Sequence, residues 1–407
     1  MKYKLRKFMT PFEAFLTWEA GSGVLLLASA IIALVLANSP LGASYEHLLH
    51  MPLGIGTDDF RLEMSLAHWV NDGLMTVFFF VIGLEIKREF LFGELRTKSA
   101  MVLPVCAALG GMLMPALLYS LVNLGAPTAG GWGIPMATDI AFALGIMTLA
   151  AGHAPVGLVV FLTALAIVDD LGAIVVIALF YSSDVSLAAL GLGLACIAGA
   201  FLLNHLRVQA LPCYLVLGFG AWLAFLASGI HPTIAGVLLG TAIPATPALE
   251  DDVRHDAAHP KNDRPKHHGS LLHKLEHALE PWSAYVIMPI FALTNAGVNV
   301  ADARLDVTSP LFLGIAAGLI LGKPLGIYGS VRLLTKCTGA PLPGGARPME
   351  ALSAGTLGGI GFTMSIFIAT LAFPDEATLA AAKLSILISS VIAGVLGAAM
   401  FQVTKAK

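Results

Sequence analysis

Apolar runs recur along the whole chain, each about long enough to cross a bilayer as a helix of roughly 20 residues, with short polar stretches between them. Twelve such spans are read, numbered here in chain order, at about 14–38, 65–85, 99–121, 133–152, 156–181, 185–203, 210–229, 232–247, 277–298, 310–331, 352–373 and 377–401. The runs lack the alternating polarity that a membrane-spanning strand requires. In hydrocarbon a helix satisfies its own backbone hydrogen bonds. The pattern therefore predicts an all-α polytopic membrane protein of twelve transmembrane helices, a single domain over residues 1–407.

Composition agrees, with 57% hydrophobic and 12% charged residues and a mean hydropathy of +0.83, against about 25% charged in soluble domains. The net charge of −3 is uninformative. Cys106, Cys196, Cys213 and Cys337 lie in or beside apolar runs with no ligand spacing, so they read as small packing residues. No phosphate-binding glycine loop, GxSxG elbow or basic nucleic-acid footprint occurs. No cofactor is expected.

The basic N-terminus followed by the apolar Val24–Ala37 imitates a signal peptide. The additional apolar stretch Pro11–Trp18 makes the segment long for one and favours an uncleaved first helix. If that helix starts inside, Lys and Arg segregate strongly. Nineteen of the 23 fall on one side, among them Lys2, Lys4, Arg6, Lys7, Lys405 and Lys407; only Arg61 and Arg304 fall on the other, and Lys323 and Lys383 lie within spans. Both termini are expected to be cytoplasmic.

Two segments break the helical pattern. Met51–Met64, on the outer side, has Gly and Asp between short alternating runs and fits a small β-hairpin or an irregular loop. The long cytoplasmic stretch Ala248–His273 is polar and rich in His, which favours a flexible linker over a metal site. A faint repeat also runs through the chain. Ala107-Ala108…Met114-Pro115…Tyr119 in the third span recurs as Ala316-Ala317…Lys323-Pro324…Tyr328 in the tenth. Thr138-x-x-x-Phe142 in the fourth echoes Thr363-x-x-x-Phe367 in the eleventh. Seven spans separate each pair, so the two halves are inverted, a transporter signature.

The candidate chemistry lies in charges inside the spans. Asp169 and Asp170 stand adjacent in a run otherwise free of charge from Phe161 to Phe180; Asp72, Asp139 and Lys323 are also within spans, and Lys383 is nearer an end. Each costs about 3 kcal/mol at the bilayer centre. An ion pair between helices explains Lys323 with one aspartate and leaves the other acids unexplained. Asp139 lies in Gly133-Ile-Pro-Met-Ala-Thr-Asp-Ile-Ala-Phe-Ala-Leu-Gly145, and the eleventh span contains Gly355-Thr-Leu-Gly-Gly-Ile-Gly361. Both are breakable, although glycines also serve plain close packing. Crossed broken helices would let Asp139 balance N-terminal half-helix ends and Lys323 the C-terminal ends. Asp170, helped by Asp169 and Thr138, offers hard oxygen ligands for a small alkali cation. A proton-coupled transporter of another small substrate is the alternative, though 8% aromatic residues offer little to line a larger cavity. Adjacent aspartates on one helix point about 100° apart, which argues against an aspartyl hydrolase.

The motifs Gly-Leu-Glu85-Ile-Lys-Arg88-Glu89, Ala-Thr138-Asp139-Ile-Ala-Phe-Ala-Leu-Gly, Ala-Ile-Val-Asp169-Asp170-Leu-Gly, Ser-Gly-Ile-His231, Leu-Glu276-His277, Gly-Lys323-Pro-Leu-Gly-Ile and Gly-Gly-Ile-Gly-Phe-Thr-Met-Ser resemble, in order and spacing from about 10 to 403, the bacterial Na⁺/H⁺ antiporter NhaA family. That family is one of the standard examples of inverted-repeat transporters. The resemblance implies core repeats at about 99–181 and 310–401, with panel and dimerisation spans at about 14–85 and 185–298. It further implies crossed broken fourth and eleventh spans, and a homodimer in the inner membrane joined partly through an outer hairpin. By position it makes Asp170 and Asp169 the carriers of Na⁺ or Li⁺ and of protons, pairs Lys323 with Asp169, and gives Asp139 an electrostatic support role. Its pH-response region falls on Glu85, Arg88, Glu89, Glu276 and His277, with His231 in a further pH-linked motif. Glu280 stands where that region has a histidine.

Overall fold

The computed structural model describes residues 21–57, 60–150, 155–182, 185–245, 270–301, 303, 305–339 and 341–405. The basic N-terminus, the start of the first span and the polar stretch 248–269 lie outside the described residues. Helix stands at each of the twelve expected positions. Seven helices are long and apolar enough to cross a membrane singly: Leu66–Leu91, Ala100–Val122, Val156–Phe180, Leu187–His205, Leu211–Ser228, Pro310–Thr338 and Glu376–Thr404. Three bent pairs raise the number to ten among the described residues, and two of them are the fourth and eleventh spans.

The eighth and ninth spans depart from the sequence expectation. The eighth is a helix only over Thr233–Ala242, about 15 Å at 1.5 Å per residue, half the hydrocarbon thickness. Prolines bound it at both ends. Pro232 precedes its first residue, and Ile243, which precedes Pro244, turns out of the helical region to φ −59°, ψ 137°. The ninth begins earlier than expected, with the amphipathic Leu271–Trp282, whose His273, Lys274, Glu276, His277 and Glu280 make that turn polar. It continues through a π-helical turn, Ser283–Ile287, where the Met288 N–H reaches back to the Ser283 carbonyl. Pro289 follows, and a proline removes the hydrogen bond that would keep the preceding turn α-helical. A short helix that hydropathy does not mark, Gly42–His50, follows the first span at 111° to it.

The chain divides into two compact units. One holds the described residues up to His47, Val102–Gly172 and Ala292 onward; the other holds Leu48–Met101 and Ala173–Phe291. In the second unit Met51–Met64 is a hairpin: Pro52–Thr57 pairs antiparallel with Phe60–Ser65, Pro52 opposite Ser65 and Thr57 opposite Phe60. Ser65 then caps the second span, its hydroxyl accepting from the His68 N–H.

Within the first unit the third and tenth spans, the repeat partners, cross at backbone contact. A Cβ on Gly326 would collide with the Gly110 carbonyl, and one on Gly110 with the Gly326 carbonyl. Only glycine allows this approach. Gly326→Val should therefore destabilise the protein by about 1–3 kcal/mol, whereas Gly329→Ala, which faces open space, should stay within about 1 kcal/mol of wild type. Thermal unfolding of the two purified variants in one detergent checks the contrast.

Candidate functional site

The fourth span breaks where its sequence weakens the helix. A 3₁₀ helix, Pro127–Met136, contains Pro135 and ends at Ala137, which is extended at φ −84°, ψ 149°. An α-helix, Ile140–Ala150, then continues at 49° to it. The eleventh span breaks at Gly358-Gly359-Ile360-Gly361, between Pro348–Leu357 and Phe362–Ala372, bent by 44°. Glycine is required at 359 because the Leu319 carbonyl of the tenth span sits where a Cβ would be.

The two breaks supply each other's missing hydrogen bonds. The Asp139 N–H donates to the Ile360 carbonyl at 2.6 Å. The Thr138 hydroxyl donates to the Gly358 carbonyl at 2.8 Å, and the Ser365 hydroxyl to the Ile134 carbonyl at 2.7 Å. The Asp139 carboxylate accepts from the Phe142 N–H through Oδ1 and from the Thr363 N–H through Oδ2, each at 3.2 Å. Its Oδ2 also accepts from the Thr363 hydroxyl. One buried carboxylate thus faces the first turns of both C-terminal half-helices, where backbone dipoles favour negative charge. The Ser390 hydroxyl of the twelfth span accepts from the Phe362 N–H at 3.2 Å.

Lys323 and Asp169 are both fully buried and form an ion pair, Nζ to Oδ2, at 2.6 Å. This is the pairing that the family resemblance implies; the residues alone also offered Lys323 the C-terminal ends of the broken helices. Those carbonyls are taken instead by Thr138, Ser365 and the Asp139 N–H, so the ammonium goes to Asp169. Thr138 adjoins the Asp169 carboxyl, and Asp170 is buried one residue further along the same helix. Lys323 follows a π-helical turn, Ala317–Gly322, and its own N–H reaches back to the Gly318 carbonyl. Pro324 comes next, as Pro289 does in the ninth span. The structure thus gathers Thr138, Asp139, Asp169, Asp170 and Lys323 within one unit. Asp72 lies in the other unit, where its backbone carbonyl accepts from the Trp222 indole at 2.9 Å. Lys383 makes no ion pair among the described residues.

A second cluster forms in the other unit. Arg88 pairs with Glu89 at 2.9 Å and with Glu276 at 2.8 Å, with Glu85 at 3.9 Å. Burial pushes the Glu276 carboxyl above its ordinary range; Arg88 opposes this, Glu280 and Glu89 add to it, and His277 opposes it. Lys87 donates to the Thr241 carbonyl at 2.8 Å and to the Ile243 carbonyl at 2.5 Å, holding the end of the eighth span. His231 stands at the opposite end of that short helix, its Nε2 at 3.2 Å from the Tyr181 carbonyl. Burial lowers its pKa, and the contact with Tyr181 opposes the shift.

The model of the family described as Na⁺/H⁺ antiporter 1 matches residues 13–401, nearly the whole chain. The chain belongs to the Na⁺/H⁺ antiporter 1 family. Its relatives include the Na⁺/H⁺ antiporter NhaA 1 of Clostridium beijerinckii, 46% identical over all of this chain and 99% of the relative. The NhaA of Oleidesulfovibrio alaskensis is 49% identical over 95% of this chain and 92% of the relative. That of Bordetella parapertussis is 48% identical over 96% of each.

For this Na⁺/H⁺ antiporter 1 family member, sequence reasoning missed Ser365, Ser390 and Lys87, and saw Thr363 only as an echo of Thr138. The echo was the usable signal, because each threonine reaches across to the other broken span. Ser390 and Lys87 carry no motif that marks them. The buried pair yields a stability prediction. Lys323→Met leaves Asp169 uncompensated and should cost about 3–5 kcal/mol, while Asp169→Asn with Lys323→Met should recover most of that loss. Unfolding temperatures of the two variants in detergent at pH 8 test it.

Proposed function

We propose that the protein is a secondary active transporter that expels Na⁺ or Li⁺ from the cytoplasm in exchange for protons, with Asp170 and Asp169 as the carriers. The observation that carries this reading is the buried Lys323–Asp169 pair beside Asp170 and next to the crossing of two interrupted spans. The site's hard carboxylate oxygens suit a small alkali cation. Among the described residues no cluster of His, Cys, Asp and Glu has the makings of a resident metal site.

The charges suggest the sequence of events. Opened to the cytoplasm, the site gives up protons as the cation settles between Asp170 and Asp169 and competes with the Lys323 ammonium for Asp169. The core then tilts, and protons from outside neutralise both carboxylates and displace the cation; the Lys323–Asp169 pair forms again when Asp169 next gives up its proton. Two protons moving in for one cation out would transfer net positive charge inward, so the membrane potential would drive sodium out. Asp139 stays with the half-helix ends, and Thr138 supports the site from the break in the fourth span. The strong segregation of Lys and Arg supports cytoplasmic termini in a bacterial inner membrane, and the outer hairpin fits a homodimer contact. Exchange of ²²Na⁺ against a proton gradient in proteoliposomes tests the assignment: Asp170→Asn should abolish it, and wild-type exchange by that variant would overturn the reading.

The cluster of Glu85, Arg88, Glu89, Glu276 and His277 is proposed to set the pH response, with His231 a further pH-linked group. The sign follows from Glu276. Its carboxyl is raised, so the charged Glu276–Arg88 pair forms as pH rises and is lost on acidification at a pH above the ordinary carboxylate range. Glu280 contributes to that rise by like charge. Glu280→Gln should therefore move the pH–activity profile of exchange to the acid side, and Glu89→Gln should move it the same way. Initial rates over a pH series at saturating sodium read the shift.

A further inference from the structure

A groove of about 740 Å³ runs along the twelfth span in the first unit, lined almost wholly by apolar atoms. Its walls include Leu27 and Ile31 of the first span and Val391 and Val395 of the twelfth, all well exposed. Its floor is Phe142, Ile360 and Phe362, the residues that flank Asp139 and Thr363 at the crossing. Phe142 and Phe362 meet edge to face there, centroids 5.1 Å apart. The lining on the twelfth span extends from Leu384 to Ala398, about 21 Å at 1.5 Å per residue. The groove is therefore long and parallel to a membrane-crossing helix. A cavity with so few polar partners does not hold water.

Lys383 immediately precedes Leu384, the first residue that the twelfth span contributes to the groove. It is one helical turn before Leu387 and hence on the same face, between Ala380 and Leu384, which pack with Val298, Ala303 and Leu305. Among the described residues it has no ion-pair or hydrogen-bond partner. The twelfth span starts at Glu376 and spans 29 residues in its membrane-competent part, about 43 Å, close to the full thickness of a bilayer with its headgroups. Lys383 lies about 10 Å from the start of that helix, just beneath the edge of the hydrocarbon. A lysine stem there can carry its ammonium out to phosphate level.

We propose that the groove and Lys383 form a phospholipid site: one acyl chain lies along the twelfth span, and its anionic headgroup, of the phosphatidylglycerol class, pairs with the Lys383 ammonium. An apolar slot of acyl-chain shape beside a cation that has no partner among the described residues fits a phospholipid at both ends. Because the floor is the crossing itself, the bound chain would press on the same backbone that holds Asp139.

Native mass spectrometry of the delipidated full chain, titrated with phosphatidylglycerol, tests this. Wild type should take up one lipid saturably. Lys383→Met should bind about tenfold more weakly, as loss of a charge-assisted contact implies, and Lys383→Arg should stay near wild type. Val391→Trp, which fills the groove and keeps the lysine, should also weaken binding. Unfolding temperatures measured in parallel separate loss of the site from loss of the fold. Wild-type lipid affinity in either Lys383→Met or Val391→Trp, with the fold intact, would overturn the proposal.

Discussion

In hydrocarbon every backbone N–H and C=O needs a partner within the protein, because an unmet one costs several kcal/mol. A helix meets this need internally; a span that breaks midway does not. The fourth and eleventh spans both break, and their exposed groups are answered across the crossing by Thr138, Asp139, Thr363 and Ser365. Neither break could persist without the other. The crossing is therefore one cooperative object, and the charges around it are placed relative to a backbone with few alternative arrangements.

That constraint separates the roles of the buried acids. Both oxygens of Asp139 are engaged by N–H or O–H donors belonging to half-helix ends. Removing its charge would leave two helix N-termini facing apolar surroundings, so it suits a permanent anion better than a carrier. Asp169 is different in kind. Its ion-pair partner is the ammonium of Lys323, a cation whose place another cation can take. A buried ion pair is weak evidence for stability. Beside a second buried carboxylate it is better understood as an exchangeable one.

Much of this was legible in the chain. Apolar run length fixed the helical positions, and glycines with Pro135 marked the two breaks. The isolated charges at 139, 169, 170 and 323 come together, buried, in one unit. What was not legible had physical reasons. The shortness of the eighth span depends on Pro232 and Pro244 acting together, while hydropathy alone runs on past both. For Lys323 the residues alone offered the carbonyl ends and the family resemblance offered Asp169; the pair with Asp169 is the one that forms, because hydroxyls and an N–H from the opposite break reach the carbonyls. The residues that cap from a distance, Ser390 and Lys87, are ordinary within their own helices and acquire meaning only from the span they touch.

The π-helical turn ahead of Lys323 ties the ion pair to the crossing. Pro324 cannot donate a backbone hydrogen bond, and the turn before it widens, with the Lys323 N–H bonded to Gly318. The widened turn is closely packed on both broken spans. A Cβ on Gly318 would strike Pro135 of the fourth, and the Leu319 carbonyl occupies the place of a Cβ on Gly359 of the eleventh. Lys323 is thus carried by a turn wedged against both breaks. In the proposed exchange a cation takes over Asp169, and the ammonium then loses its partner next to a turn that touches both broken spans. An irregular turn can shift its hydrogen-bond register at smaller cost than a regular helix, so the energy of that exchange can reach the crossing without passing through any exposed loop.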